Sequence, residues 1–411
     1  MYYYSIDGAL AASALSELNF PAAEAGTPSL FLLDRDSQTT RTAFRVTDSR
    51  QLTAEGEDVS WLDPDRMGMA PELPELVRSA IQAGKLTAVN VRHPRWREAL
   101  AFCRPNPGKK RVHLLAVGDV GSTLLTALKL LGGDCIGSIG ICDLNENTVA
   151  RWTAEMGQIA WPWDYGALPE VEPVGSDHLF DCDVLIFAAT KAIPPVGSGV
   201  KDVRMAQFDA NRPLVETFAR QARAAHFGGL FMVLSDPVDP LCKAAYLASN
   251  QSADGRWDGL GLLPEQVQGF GLGVMTARAA YFAKRDPRFA SFLTEGRAFG
   301  PHGQGLVIAN SIQHYDDALS RELTELVTTA NLCIRDLGFK PYVAPAVSSG
   351  AMQLLLTLRG DWHCSSVCLG GVWFGVKNRF TAQGVETETL SLKEALLARL
   401  RETEKQLAEI I

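Results

Sequence analysis

The stretch at residues 111–143, RVHLLAVGDVGSTLLTALKLLGGDCIGSIGICD, leaves the chain little choice of local fold. An apolar run at 112–117 meets the tight turn Gly118-Asp119-Val120-Gly121. A helix-like segment at 122–131 follows, and a second apolar run at 136–142 ends on Asp143. Strand, turn, helix and strand with an acid at the second strand's tip is the order of a dinucleotide-binding βαβ unit. Gly118 lets the backbone approach a diphosphate, Gly121 lets the helix pack against its strand, and the phosphates face free N–H groups at the helix start. Asp143 is expected to accept hydrogen bonds from the adenosine ribose and to repel a 2′-phosphate, so the cofactor expected is NAD rather than NADP. Ala116 stands where the usual fingerprint has its first glycine.

Strand and helix continue to alternate beyond Asp143, which calls for a doubly wound parallel sheet. Residues 147–159 and 207–225 are expected to be helical, and 183–189 and 229–235 to be buried strands. From 269 onward the pattern changes: helices at 275–284, 320–337 and 349–358, paired strands within 367–380, and an amphipathic helix at 391–410. Before the nucleotide motif, 29–33 and 42–46 read as two strands around a polar turn at 34–40. A helix at 71–83, a strand at 87–91 and a short helix at 94–102 follow. The fold class expected is α/β: a Rossmann-type doubly wound sheet, an α+β catalytic domain, and a small N-terminal α/β domain. The boundaries are 1–108, 109–252 and 253–411, with the Pro- and Gly-interrupted segment 104–111 as first linker.

A chain of 411 residues with 46% hydrophobic residues is long enough for two or three cores. A net charge of −8 provides no basic footprint for nucleic acid. The N-terminus has neither a basic start nor a sustained apolar segment, so no leader is expected, and no apolar run is long enough for a membrane span. Eight scattered cysteines suit buried thiols in the cytoplasm. Cys364 and Cys368 lie close together, but nothing nearby completes a metal set.

Several short stretches then fall into one order. Leu234-Ser-Asp-Pro-Val-Asp239 resembles a Ser-Asn-Pro-Val-Asp strand end, and residues 269–278, GFGLGVMTAR, resemble a segment ending Leu-Asp-Ser-Ala-Arg. Residues 300–305, GPHGQG, resemble Gly-Glu-His-Gly-Asp-Ser, and Arg204 lies seven residues before Asn211. On these matches residues 112–411 resemble the lactate/malate dehydrogenase family. The resemblance implies His302 as the acid/base for hydride transfer, Arg278 as the guanidinium holding a substrate carboxylate, and Arg204 polarising the carbonyl from a mobile loop. It also implies Ala189, Thr190, Asn211, Leu234 and Ser235 beside the cofactor, Ser349 near the substrate, and a homodimer or homotetramer. Two departures stand out. Met275 replaces the aspartate that orients the histidine, and Asp236 replaces a substrate-contacting asparagine. The reaction expected is hydride exchange with a small 2-oxo or 2-hydroxy acid. An imine or cationic carbonyl substrate held by Asp236, and a nucleotide sensor without turnover, stand as alternatives. Asp236 is expected to take over the missing carboxylate's service to His302.

Overall fold

The structure, a computed structural model, describes residues 1–102, 108–191 and 203–411, the backbone alone at 203 and 204. The chain opens with β1 (Tyr2–Ile6) and β2 (Ala9–Ser13), an antiparallel hairpin the sequence reading did not anticipate. Its turn is Asp7-Gly8, both at positive φ (49° and 85°), the backbone that a two-residue hairpin matching strand twist requires. Next come β3 (Leu30–Leu33), β4 (Ala43–Arg45), α1 (Glu75–Gln82), β5 (Thr87–Asn90) and α2 (Trp96–Phe102). The two strands expected around the turn at 34–40 do form, but they do not pair with each other. β5 lies between them, parallel to β3 and antiparallel to β4. The loop is held instead by burial of its own polar residues: Arg41 pairs with Glu57 at 2.8 Å, and both side chains are almost fully enclosed.

The central unit runs β6 (Lys110–Leu115), α3 (Asp119–Leu131), β7 (Ile136–Cys142), α4 (Glu146–Gly157), β8 (Glu170–Pro173), β9 (Val184–Phe187), α5 (Val203–Ala224), β10 (Leu230–Val233), α6 (Val238–Ser249) and β11 (Val267–Gly269). These strands are parallel, in the order β8-β7-β6-β9-β10-β11. The chain winds outward from β6 in one direction and from β9 in the other, so a crevice opens where their carboxyl ends diverge. The strands are apolar throughout because helices cover both faces: Leu114, Ile141 and Ile186 pack under α3, and Leu185, Phe187 and Phe231 under α5 and α6.

The remainder holds α7 (Leu272–Ala283), α8 (Phe292–Glu295), the hairpin β12 (Arg297–Phe299) and β13 (Val307–Ala309), and α9 (Asp317–Asp336). A π-helical stretch, Pro345–Ala351, leads into α10 (Met352–Arg359). Then come β14 (His363–Leu369), β15 (Val372–Thr381), β16 (Gly384–Thr387) and α11 (Glu394–Ala408). Among the described residues fourteen strands form one sheet, because β14 joins β11 and β16 joins β4. One core accordingly mixes Phe31, Phe44 and Trp61 from the N-terminal segment with Phe374 of β15 and Leu396, Leu397 and Leu400 of α11. The first hundred residues cover an apolar face that the rest of the chain would otherwise expose to water.

Glu265 ties this segment to the central sheet. One carboxylate oxygen accepts the Thr42 and Ala43 N–H groups, while the other is buried without a partner. Burial pushes the group up from 4.5 to about 7, against the lowering effect of those backbone bonds and of Arg41. Since the folded value exceeds the unfolded one, folding favours the protonated form, and stability falls as pH rises from 4.5 to about 7. Glu265→Gln removes that slope. Relative to the unmodified protein, the variant should gain about 2–4 kcal/mol between pH 4.5 and pH 8. Denaturant unfolding at both values checks it; parallel curves at the two pH values would count against a raised Glu265.

Candidate active site

The carboxyl ends of β6, β7, β9 and β10 open into one cavity of about 2220 Å³, closed on its far side by α7, α9 and the segment after α9. On the nucleotide side, Gly118, Asp119, Val120, Gly121 and Asp143 all line it. An added Cβ at Gly118 would meet no atom within 4 Å and would project into open space, whereas at Gly121 it would lie 2.1 Å from the Ala116 carbonyl oxygen. Gly121 therefore lets α3 sit against its strand, and Gly118 leaves room for a ligand at the helix N-terminus. The Asp143 carboxylate accepts from Val117 N at 2.8 Å and Asn145 N at 3.0 Å, which locks the turn beside the cavity. These residues fit the adenosine and diphosphate of a dinucleotide.

Ala116 has φ 76°, the left-handed region that costs an L-residue about 1–2 kcal/mol. That geometry is why glycine is usual at this place. Ala116→Gly should raise stability by about 1 kcal/mol, read as an increase in the thermal midpoint. A lowered midpoint would mean that the methyl group packs well enough to offset the strain.

The loops after β9 and β10 are tied together by Asn211, whose side chain accepts Lys191 N–H at 2.9 Å and donates to the Asp236 carbonyl at 2.8 Å. Asn211 is fully buried and is not part of the cavity wall; it positions the loops that are. Ala189, Thr190, Leu234 and Ser235 do line the cavity, and the Ser235 hydroxyl donates to the Ala189 carbonyl at 2.7 Å. Ser349, expected near the substrate, is buried away from the wall. Its hydroxyl accepts Val274 N–H at 2.8 Å and donates to Gly271 O at 2.7 Å, so it fastens the start of α7. The side chain of Arg204 lies outside the described residues, as do residues 192–202 of its loop.

At the other end of the cavity, His302 Nε2 lies 3.0 Å from Asp236 Oδ1. The imidazole is 18% exposed and the carboxylate 51%, so the pair faces the opening from a largely enclosed ring. The opposite edge of the ring rests on the backbone at Gly271, where a Cβ would come within 2.6 Å of Nδ1. That close approach fixes the ring plane. Met275, at the place of the family's orienting acid, is buried in the wall one turn before Arg278 on α7. The Arg278 guanidinium reaches only the Val327 carbonyl at 3.4 Å and Met275 Sδ at 3.7 Å, with no carboxylate in ion-pair range among the described residues. Burial lowers its ordinary value, the sign of a desolvated cation without a full counterion.

Two features of the wall escaped the sequence reading. Thr328, Asn331 and Arg335 line the cavity from α9, at the i, i+3, i+7 spacing of one helix face. Lys340, in the segment after α9, reaches Asp119 at 2.8 Å. The available signal was Gly338 followed by Phe339-Lys340-Pro341, a break too long to be a simple helix stop. No group of three metal-binding side chains occurs among the described residues, and the seven described cysteines are free. No described helix is long and apolar enough to cross a membrane.

No protein-family profile matches the chain. An L-lactate dehydrogenase from Staphylococcus saprophyticus is 26% identical over 194 residues, 47% of this chain and 54% of that protein. The match thus spans about half the length of the curated relative. Among solved structures, the minor L-lactate dehydrogenase of Enterococcus mundtii superposes with a TM-score of 0.59 at 19% identity, covering 74% of this chain and 97% of that one. The malate dehydrogenase of Archaeoglobus fulgidus, solved with NADH, gives 0.57 at 17% identity over 73% and 98%. The fold is that of lactate and malate dehydrogenases over about three-quarters of the chain.

Proposed function

We propose that the protein is an NAD-dependent oxidoreductase that moves a hydride between nicotinamide and the C2 carbon of a small 2-oxo or 2-hydroxy acid. The observation that carries this reading is the His302–Asp236 pair at 3.0 Å, in the same cavity as the glycine turn and as an Arg278 with no acid partner among the described residues. The NADH-bound malate dehydrogenase of like fold supports the choice of dinucleotide. The acid at Asp143 supports NAD over NADP, since a 2′-phosphate there would meet a carboxylate.

When bound, the nicotinamide donates or accepts the hydride. Arg278 orients the substrate through a two-pronged contact with its carboxylate, which leaves the C2 oxygen facing His302. As the carbonyl is reduced, its oxygen becomes an alkoxide, and His302 delivers the proton that neutralises it. The carboxylate of Asp236 favours the imidazolium before that step, the work a helix-borne aspartate would do where Met275 stands. The resemblance assigns Arg204 the part of a further positive charge on the carbonyl. The pairing of Asp236 with His302 speaks for this role over one in which Asp236 holds a cationic substrate. The divisions at 108 and 252, a cytoplasmic setting consistent with free thiols, and a homo-oligomer belong to the same reading.

Loss of NADH absorbance across a panel of 2-oxo acids tests it. Turnover is expected with at least one of them, and more weakly with NADPH. Saturable NADH binding without turnover of any 2-oxo acid or cyclic imine would leave a nucleotide sensor as the better account.

A further inference from the structure

The glycine turn carries an acid where the ligand's charge should go. Asp119 stands in the first turn of α3, whose leading N–H groups have no intrahelical partner and face the cavity. Such a helix start attracts phosphate, but a carboxylate in that turn works against it. Lys340 Nζ lies 2.8 Å from Asp119 Oδ2. Lys340 belongs to the segment that follows Gly338, the positive-φ glycine just beyond the end of α9, and residues 338–342 all line the cavity. The two side chains come from places 221 residues apart and meet in the wall of the cavity.

The pair does little for folding. The side chains are 79% and 50% exposed, and exposed ion pairs of this kind contribute next to nothing to stability. What they share is position. A dinucleotide laid along the crevice, with its adenosine at Asp143 and its reacting ring at His302, carries its diphosphate past the start of α3.

We propose that Lys340 is the diphosphate-binding cation of this protein, stationed over the glycine turn by Asp119. In the free protein Lys340 cancels the acid's charge. In the complex its ammonium bridges Asp119 and a phosphate oxygen, so the turn's acid holds the lysine in place and does not repel the ligand. This rests on the dinucleotide reading above. It adds a contact from the segment after α9, so that nucleotide binding and the substrate wall are joined through one stretch of chain.

The test is equilibrium binding of NADH, ADP-ribose and adenosine to the full chain, for the unmodified protein, Lys340→Met, Asp119→Asn and the double variant. Lys340→Met should weaken NADH and ADP-ribose by about tenfold or more while leaving adenosine within about twofold. In the Asp119→Asn background the same change should cost less, because no uncompensated acid is left beside the phosphates. Unchanged thermal midpoints are expected throughout. The proposal is overturned if Lys340→Met leaves ADP-ribose binding within about twofold, or if adenosine weakens equally. Failure of the unmodified protein to bind either NADH or ADP-ribose would instead bring down the dinucleotide reading, and the lysine assignment with it.

Discussion

Replacing His302 with asparagine lowers the turnover number by about 10²–10⁴-fold, while the affinity for NADH stays within about twofold. The asymmetry follows from position. The imidazole lies against Gly271 and Asp236, where the proposed function puts the substrate, whereas the same proposal puts the nucleotide at the glycine turn and Asp143. Asparagine has about the size to keep the contact with Asp236 but no proton to release near neutral pH. Stopped-flow measurement of a single turnover separates this from slow product release. A rate within about threefold of the unmodified protein would remove His302 from the chemistry.

The second large effect is at Arg278. Arg278→Lys should raise KM for the acid by about 10²-fold with a smaller change in the turnover number, because a point charge replaces a planar fork. The guanidinium here is desolvated and lacks a carboxylate partner among the described residues, so a bound carboxylate would be its principal counterion. Lysine also loses the contact with the Val327 carbonyl that sets the direction of the fork. Thermal unfolding should show little change, since Arg278 has no ion pair with any described residue to lose. Weakening of NADH and of the acid by the same factor would mean that Arg278 supports the cavity as a whole and does not hold the acid's carboxylate.

The nucleotide half was legible because its physics is local. A glycine needed for close packing, an acid at a strand tip and a period switching from strand to helix all sit within 33 residues, 111–143. The expected parallel sheet followed from alternation alone, and the helices at 146–157, 272–283 and 394–408 fall within a few residues of their expected bounds. What local pattern could not convey was long-range pairing. The strands at 30–33 and 43–45 are adjacent in sequence, yet β5 lies between them. The joining of β4 to β16 across some 340 residues leaves no local trace, and neither does the shared core beneath it.

At the site, the residue types were legible but their duties were not always so. Ser349 and Asn211 have the right chemistry to touch ligands, but their hydrogen bonds are used within the protein, one at the start of α7 and the other between two loops. Lys340 went unremarked because its partner Asp119 is 221 residues away. On the proposed function, Met275 and Asp236 form one compensated change: α7 carries no carboxylate at Met275, and Asp236 at the end of β10 stands 3.0 Å from the imidazole instead.

That compensation is the centre of the account, and the pH dependence of reduction by NADH measures it directly. A carboxylate 3.0 Å from Nε2 favours the imidazolium over the neutral ring, so the protonated His302 that reduction needs is expected to be better populated with Asp236 than without it. Asp236→Asn should therefore move the alkaline limb of the reduction profile to lower pH. It should cut the rate at pH 8 by about tenfold and leave it nearly unchanged near pH 5.5, where a free histidine is protonated anyway. An alkaline limb that stays in place, with the rate reduced equally at every pH, would contradict the dyad and return Asp236 to a substrate-holding role.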